Sequence, residues 1–131
     1  WHRREYQYAD IVREISRAKG SIIHYRNASQ SGVQVMSMQL GVPTMVSTAG
    51  ALPEYQPPGS AAIGFDDVDG LARTFDKLAD PAEAEREGRM ALAHYRTHYS
   101  PSITADRLLS IFAEVAGESR QQSFARSDLH S

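Results

Sequence analysis

Three short runs of strand-forming residues, each followed by a turn and then a helical stripe, constrain this chain more than any other feature. The runs are Ser21 to His24, Pro43 to Ser47 and the weaker Ser60 to Phe65. Strands alternating with helices predict an α/β fold, a parallel sheet with flanking helices. Ahead of the first run, Tyr8, Ile11, Val12, Ile15 and Ala18 recur at helical spacing. They predict a helix over 6–18 closed by Lys19-Gly20, the glycine supplying a left-handed turn past the last carbonyls. Val33 to Leu40 reads as a short, largely buried helix stopped by Gly41, and Thr48 to Gly59 as a loop of small residues and prolines.

The carboxyl-terminal half is predicted as three helices. Asp66 or Asp67 caps the first, whose face is Val68, Leu71, Ala72, Phe75, Leu78 and Ala79. Asp80-Pro81 opens the second, with Ala84, Gly88, Ala91 and Tyr95 on one side, and Ser100-Pro101 opens the third. Its face is Ala105, Leu108, Leu109, Phe112, Val115 and Ala116, and from Gly117 the composition turns polar. Residues 1–116 therefore read as one domain and 117–131 as a polar, disordered tail.

Composition removes several function classes. With 14 Lys plus Arg against 16 Asp plus Glu, the net charge of −2 provides no basic field for a nucleic acid. The absence of cysteine excludes a disulfide scaffold, a thiolate zinc site and a cysteine nucleophile. No run approaches the ~20 apolar residues needed to cross a bilayer. Trp1-His2-Arg3-Arg4-Glu5 has charges with no apolar core behind them, unlike a signal peptide, and the chain reads as an excerpt of something longer.

Parallel sheets bind ligands beyond the carboxyl ends of their strands, which here places any site between residues 24–32 and 47–55. The first loop ends in Ser31-Gly32 and feeds a helix, whose orphan amides and dipole suit a phosphate or diphosphate. The same residues also describe a plain strand-to-helix turn capped by Ser31. Arg26 could pair with phosphate oxygens or simply face solvent. His24 is a weak candidate for a general base, having no carboxylate nearby in sequence. His94 and His98 are four apart but lack a third ligand, and Asp66, Asp67 and Asp69 read as helix capping, so no metal site is expected. Glu54 could meet a sugar hydroxyl or order its own loop.

The run Gly41-Val42-Pro43-Thr44-Met45-Val46-Ser47-Thr48-Ala49-Gly50-Ala51-Leu52-Pro53-Glu54 resembles the "GVPVVATDVGGLPE" signature of the family-4 (group 1) retaining glycosyltransferases. His24 to Gly41 fills the family's preceding "PSxxEGFGLVVLEAMACG" segment residue for residue. Asp66 to Ala79, Asp80-Pro81 and Tyr99-Ser100 follow the family's downstream order, so the resemblance covers roughly residues 8–116. It implies a Rossmann-like sheet, the second half of the nucleotide-sugar-binding, C-terminal domain of a GT-B enzyme. The family's diphosphate-cradling amides fall on Ser29, Gln30, Ser31 and Gly32, with Val33 next in line and Arg26 able to replace the family's upstream basic residues. Gln34, Gly50 and Glu54 fall in the sugar and ribose region.

Two departures stand out. The family's paired glutamates, one beside the transferred sugar and one on the ribose, fall on Ala28 and Met36. Neither accepts a charged hydrogen bond, an interaction worth about 1.5–3 kcal/mol. Gln30, Gln34 and Ser37 are the neighbouring polar side chains able to substitute.

The resemblance implies a transferase moving a sugar from a nucleotide sugar to a glycan, lipid-linked or protein acceptor. Amides and arginine would carry the leaving-group charge without a metal or other cofactor, and the donor is the substrate. The other cleft wall would be a missing N-terminal domain, and an uncovered sheet edge would invite pairing with a second copy. Sugar nucleotides imply the cytoplasm, at the inner membrane face for an envelope polysaccharide. The lost glutamates motivate an alternative, a non-catalytic glycosyltransferase-like partner or recognition module. An unrelated Rossmann-like phosphate-binding domain is a third reading.

Overall fold

The structure, a computed structural model, describes residues 7–128, with side chains through residue 117. Tyr6, the amino-terminal run from Trp1 and the last residues of the expected tail lie outside the described residues. The chain separates into two units, one ending at Arg96 and one beginning at Thr97.

The first unit is a mixed α/β structure on a three-stranded parallel sheet in the order β1-β2-β3. Its elements are α1 (Tyr8–Arg17), β1 (Ser21–Ile23), α2 (Gly32–Gln39), β2 (Thr44–Ser47), α3 (Leu52–Tyr55), β3 (Ala62–Ile63), α4 (Val68–Ala79) and all but the last two residues of α5 (Pro81–His98). Ile22 pairs with Met45 and Ile23 with Val46 across β1 and β2, and Ser47 pairs with Ile63 across β2 and β3.

Successive strand residues point to opposite faces, and both faces of β2 are buried. Ile23 and Val46 pack with Leu52 of α3 on one side. Met45 packs with Leu78 of α4 and Ala84 of α5 on the other. Helices therefore cover both faces, as the alternation of elements predicts. On α5, all four residues of the predicted stripe (Ala84, Gly88, Ala91 and Tyr95) are buried.

Several expectations need correction. Gly20 does not adopt a left-handed turn: among the described residues, positive φ occurs at Gly41, Gly50 and Gly59. A Cβ on Gly20 would lie 3.0 Å from Leu78 Cδ1, so its smallness accommodates close packing instead. Gly41, at φ +70°, does terminate α2 as expected. The loop predicted over Thr48 to Gly59 contains α3, a single helical turn too short to show a period. The stripe on α4 is mostly uncovered, with Val68 73% and Phe75 46% exposed, and only Gly70 and Leu78 are buried on that helix. Asp67, not Asp66, is the cap, accepting from the Gly70 N–H at 2.9 Å. On α5, the hydrogen bond from Arg86 holds the Glu83 carboxyl below the usual carboxylate range.

The second unit is built on α6 (Pro101–Asp128). Its predicted apolar face is exposed at Leu108, Leu109, Phe112 and Val115, because an amphipathic stripe specifies a face without specifying what covers it. The helix continues through Asp128, over most of the segment whose composition predicts a disordered tail. Among the described residues no helix is long and apolar enough to cross a membrane.

Candidate functional site

The loops following β1 and β2 meet at the carboxyl ends of the strands. The Ala51 N–H donates to the Ser29 carbonyl at 3.1 Å, and the Tyr55 hydroxyl donates to Gln30 Oε1 at 3.3 Å. Below them the Ser47 hydroxyl donates to the Tyr25 carbonyl. Gly50, at φ +52°, lies directly against the backbone of Ala28, where a Cβ would come within 1.6 Å of the carbonyl oxygen. The second loop is thus seated on the first.

The amino terminus of α2 opens beside this contact. Ser31 is the N-cap residue but its side chain makes no capping bond, contrary to the capping expectation. The first-turn amides are left without a side-chain acceptor, and nothing lies within 4 Å of a Cβ built on Gly32. Ser29, Gln30, Gly32 and Val33 are exposed, and Ser31 is buried beneath them. This is the anion-receptive arrangement expected of a strand–loop–helix turn.

Arg26 is placed differently. Its guanidinium lies 4.3 Å from the centroid of the Phe65 ring, which follows β3. The His24 ring stacks on the same phenyl at 5.3 Å and 11°, and its Nε2 lies 3.1 Å from the Phe65 carbonyl. A carbonyl can only accept, so Nε2 carries the proton and Nδ1 is left buried without a partner. His24 is thereby built into a bridge between the ends of β1 and β3. Phe65, which the sequence reading placed at the end of the third strand run without a role, organises that bridge.

The polar residues expected in the sugar and ribose region divide sharply. Gln34 is wholly buried, its Nε2 donating to the Leu52 carbonyl at 2.9 Å and to Gln56 Oε1 at 3.3 Å. It ties α2 to α3 and to Gln56. Ser37 is equally buried, donating to the Val33 carbonyl at 2.7 Å and lying 2.8 Å from the Ser21 hydroxyl. Ala28 packs on the Ile23, Val46 and Leu52 cluster, and Met36 is half-buried. Of the three substitutes for the absent glutamates, only Gln30 is exposed. Glu54 is also exposed, at the start of α3, with no side-chain hydrogen bond among the described residues.

Beneath the site, Gln56 knots three segments. Its Oε1 accepts from the Thr44 hydroxyl at 2.6 Å, and its Nε2 donates to the Thr44 carbonyl at 3.0 Å and the Ala61 carbonyl at 3.4 Å. Gln56→Leu, which leaves those buried groups unpaired, is expected to cost about 2–3 kcal/mol in urea unfolding. No group of three or more metal-ligating side chains occurs among the described residues. No protein-family model matches the chain, and no curated protein matches it.

Proposed function

We propose that this chain is a donor-binding domain of a GT-B-type glycosyltransferase, holding the diphosphate of a nucleotide sugar at the amino terminus of α2. The observation carrying this reading is the uncapped, open first turn of α2 beside the Gly50 loop, at the carboxyl end of a parallel sheet. The sequential order β1-β2-β3 is that of either half of a doubly wound sheet, and β1 and β3 each pair with β2 alone among the described strands. The edge of β1 turned away from β2 is unpaired among the described strands, where further strands would add. Those strands, and an acceptor-binding domain across the cleft, would complete the enzyme.

In this arrangement the amides of Gly32, Val33 and Gln34 stabilise charge developing on the departing diphosphate. Glu54 and Gln30 are the exposed polar side chains available to the sugar. Arg26 reaches the leaving group after swinging from Phe65, or remains there and steers the anion in.

A Gly32→Asp variant provides the test. The position is open, so the side chain fits, and an acid in the first turn favours a helix. Thermal stability should be kept or slightly raised, while affinity for UDP, GDP or ADP, whichever the wild type binds, should fall at least about tenfold through like-charge repulsion. Equal affinity in the two proteins would refute the assignment.

The burial of Gln34 and Ser37 favours the alternative of a non-catalytic, glycosyltransferase-like partner, because it leaves few acceptors beside a bound sugar. Nucleotide binding without release of sugar from any sugar nucleotide, in a preparation completed by its acceptor domain, would select that alternative.

A further inference from the structure

A cavity of about 300 Å³, which none of residues 24–32 lines, is walled by β3 and its approach, by Thr44 and Gln56, and by the helices α4 and α5. Its apolar wall includes Ile63, Leu78 and Ala91, all buried. Four charged side chains also line it, and three are already engaged. The Glu87 carboxylate, 11% exposed, meets Lys77 Nζ at 2.6 Å, Arg86 Nη2 at 3.1 Å and the Ser60 hydroxyl at 3.4 Å. Asp67 caps α4. The fourth, Arg73, makes no ion pair or side-chain hydrogen bond among the described residues. Asp69 and Asp76 sit one turn before and after it on the same helix, where such pairs commonly form, yet neither is engaged. Arg73, an exposed residue, is one of the residues that line the cavity.

We propose that this cavity binds a monocarboxylate carried on a compact apolar body. Arg73 provides a planar fork for the carboxylate, and the apolar wall receives the body. The lining sets the charge of the ligand: with Glu87 paired to Lys77, a single negative charge meets Arg73, whereas a phosphate dianion would bring a second charge towards the two lining carboxylates, Asp67 and Glu87. The ligand is either a small free acid or the carboxyl terminus of an extended peptide laid along the edge of β3 that is unpaired among the described residues.

Amide chemical-shift titrations of the whole chain test this with four probes: benzoate, phenyl phosphate, a short peptide ending in Ala-Val, and the same peptide as its amide. Benzoate or the free-acid peptide should saturate with shifts confined to Ser60–Ile63 and Gly70–Lys77, at a Kd of about 1 mM or better. Saturation by benzoate identifies a small acid, and saturation by the free-acid peptide alone identifies a chain terminus; the amide should not saturate. Arg73→Gln, an exposed helix position expected to fold normally, should weaken binding at least about tenfold. Glu87→Gln should narrow the preference for benzoate over phenyl phosphate, and Gly32→Asp should leave this site unaffected. The proposal is overturned if no carboxylate saturates, if Arg73→Gln binds as wild type does, or if phenyl phosphate binds the wild type more tightly than benzoate.

Discussion

Replacing Gly50 with alanine is expected to cost about 3–4 kcal/mol and to lower the melting temperature by on the order of 15 °C. Two effects add. At φ +52° a Cβ is disfavoured by about 1–2 kcal/mol wherever it occurs. Here it would also sit 1.6 Å from the Ala28 carbonyl oxygen, so the two loops must separate. Separation breaks the bond from the Ala51 N–H to the Ser29 carbonyl, removing one wall of the proposed donor site. Gly59→Ala isolates the first effect, since φ is +84° there but nothing lies within 4 Å of the added carbon. Its cost should be about 1 kcal/mol. Equal costs at the two positions, measured by urea unfolding, would contradict the close seating of the loops.

The second large effect is expected at Gly88. In an exposed helix interior, Gly→Ala stabilises by about 1 kcal/mol. At Gly88 the added Cβ would lie 2.1 Å from the Gly41 carbonyl oxygen and 3.6 Å from Pro43 Cδ. The obstruction is backbone that itself terminates α2 and leads into β2, so it cannot rotate away as a side chain would. We expect Gly88→Ala to destabilise by about 3 kcal/mol, reversing the propensity rule, with α5 displaced from the sheet. A neutral or stabilising result would mean that α5 does not pack on Gly41. That would also remove the support of the helix stop holding α2 in place.

These two glycines show where sequence reading succeeds and where it ends. The stripe containing Gly88 was legible because α5 buries one continuous face, and a 3.6-residue period reports such a face directly. The helix stop at Gly41 and a cap at Asp66 or Asp67 were legible because they depend on local backbone chemistry. The exposure of Val68 and Phe75 was not, since periodicity describes a helix and says nothing of the body beside it. The resemblance places Gln34 in the sugar and ribose region, and Gln56 falls in a stretch that reads only as a loop. Their burial depends on carbonyls and a hydroxyl supplied by β2, α3 and the approach to β3, partners that only the assembled fold brings together. The Arg26–Phe65–His24 stack joins the ends of β1 and β3 in the same way. Within the candidate site, the open turn at Ser31-Gly32 was readable from small residues preceding a helix, although its missing cap was not.

The most direct measurement is a titration of the uniformly ¹⁵N-labelled chain with UDP, GDP and ADP, following each backbone amide. A ligand bound through the first turn of α2 should move Gly32, Val33 and Gln34 most, with smaller shifts at Ser29, Gly50 and Ala51. At 100 times its Kd it should also stabilise the fold by about 2.7 kcal/mol. Saturable shifts centred on Gly32 with one of the three nucleotides are the predicted result. An absence of shifts with all three, or saturation centred elsewhere with Gly32 and Val33 unmoved, would contradict the donor-site reading.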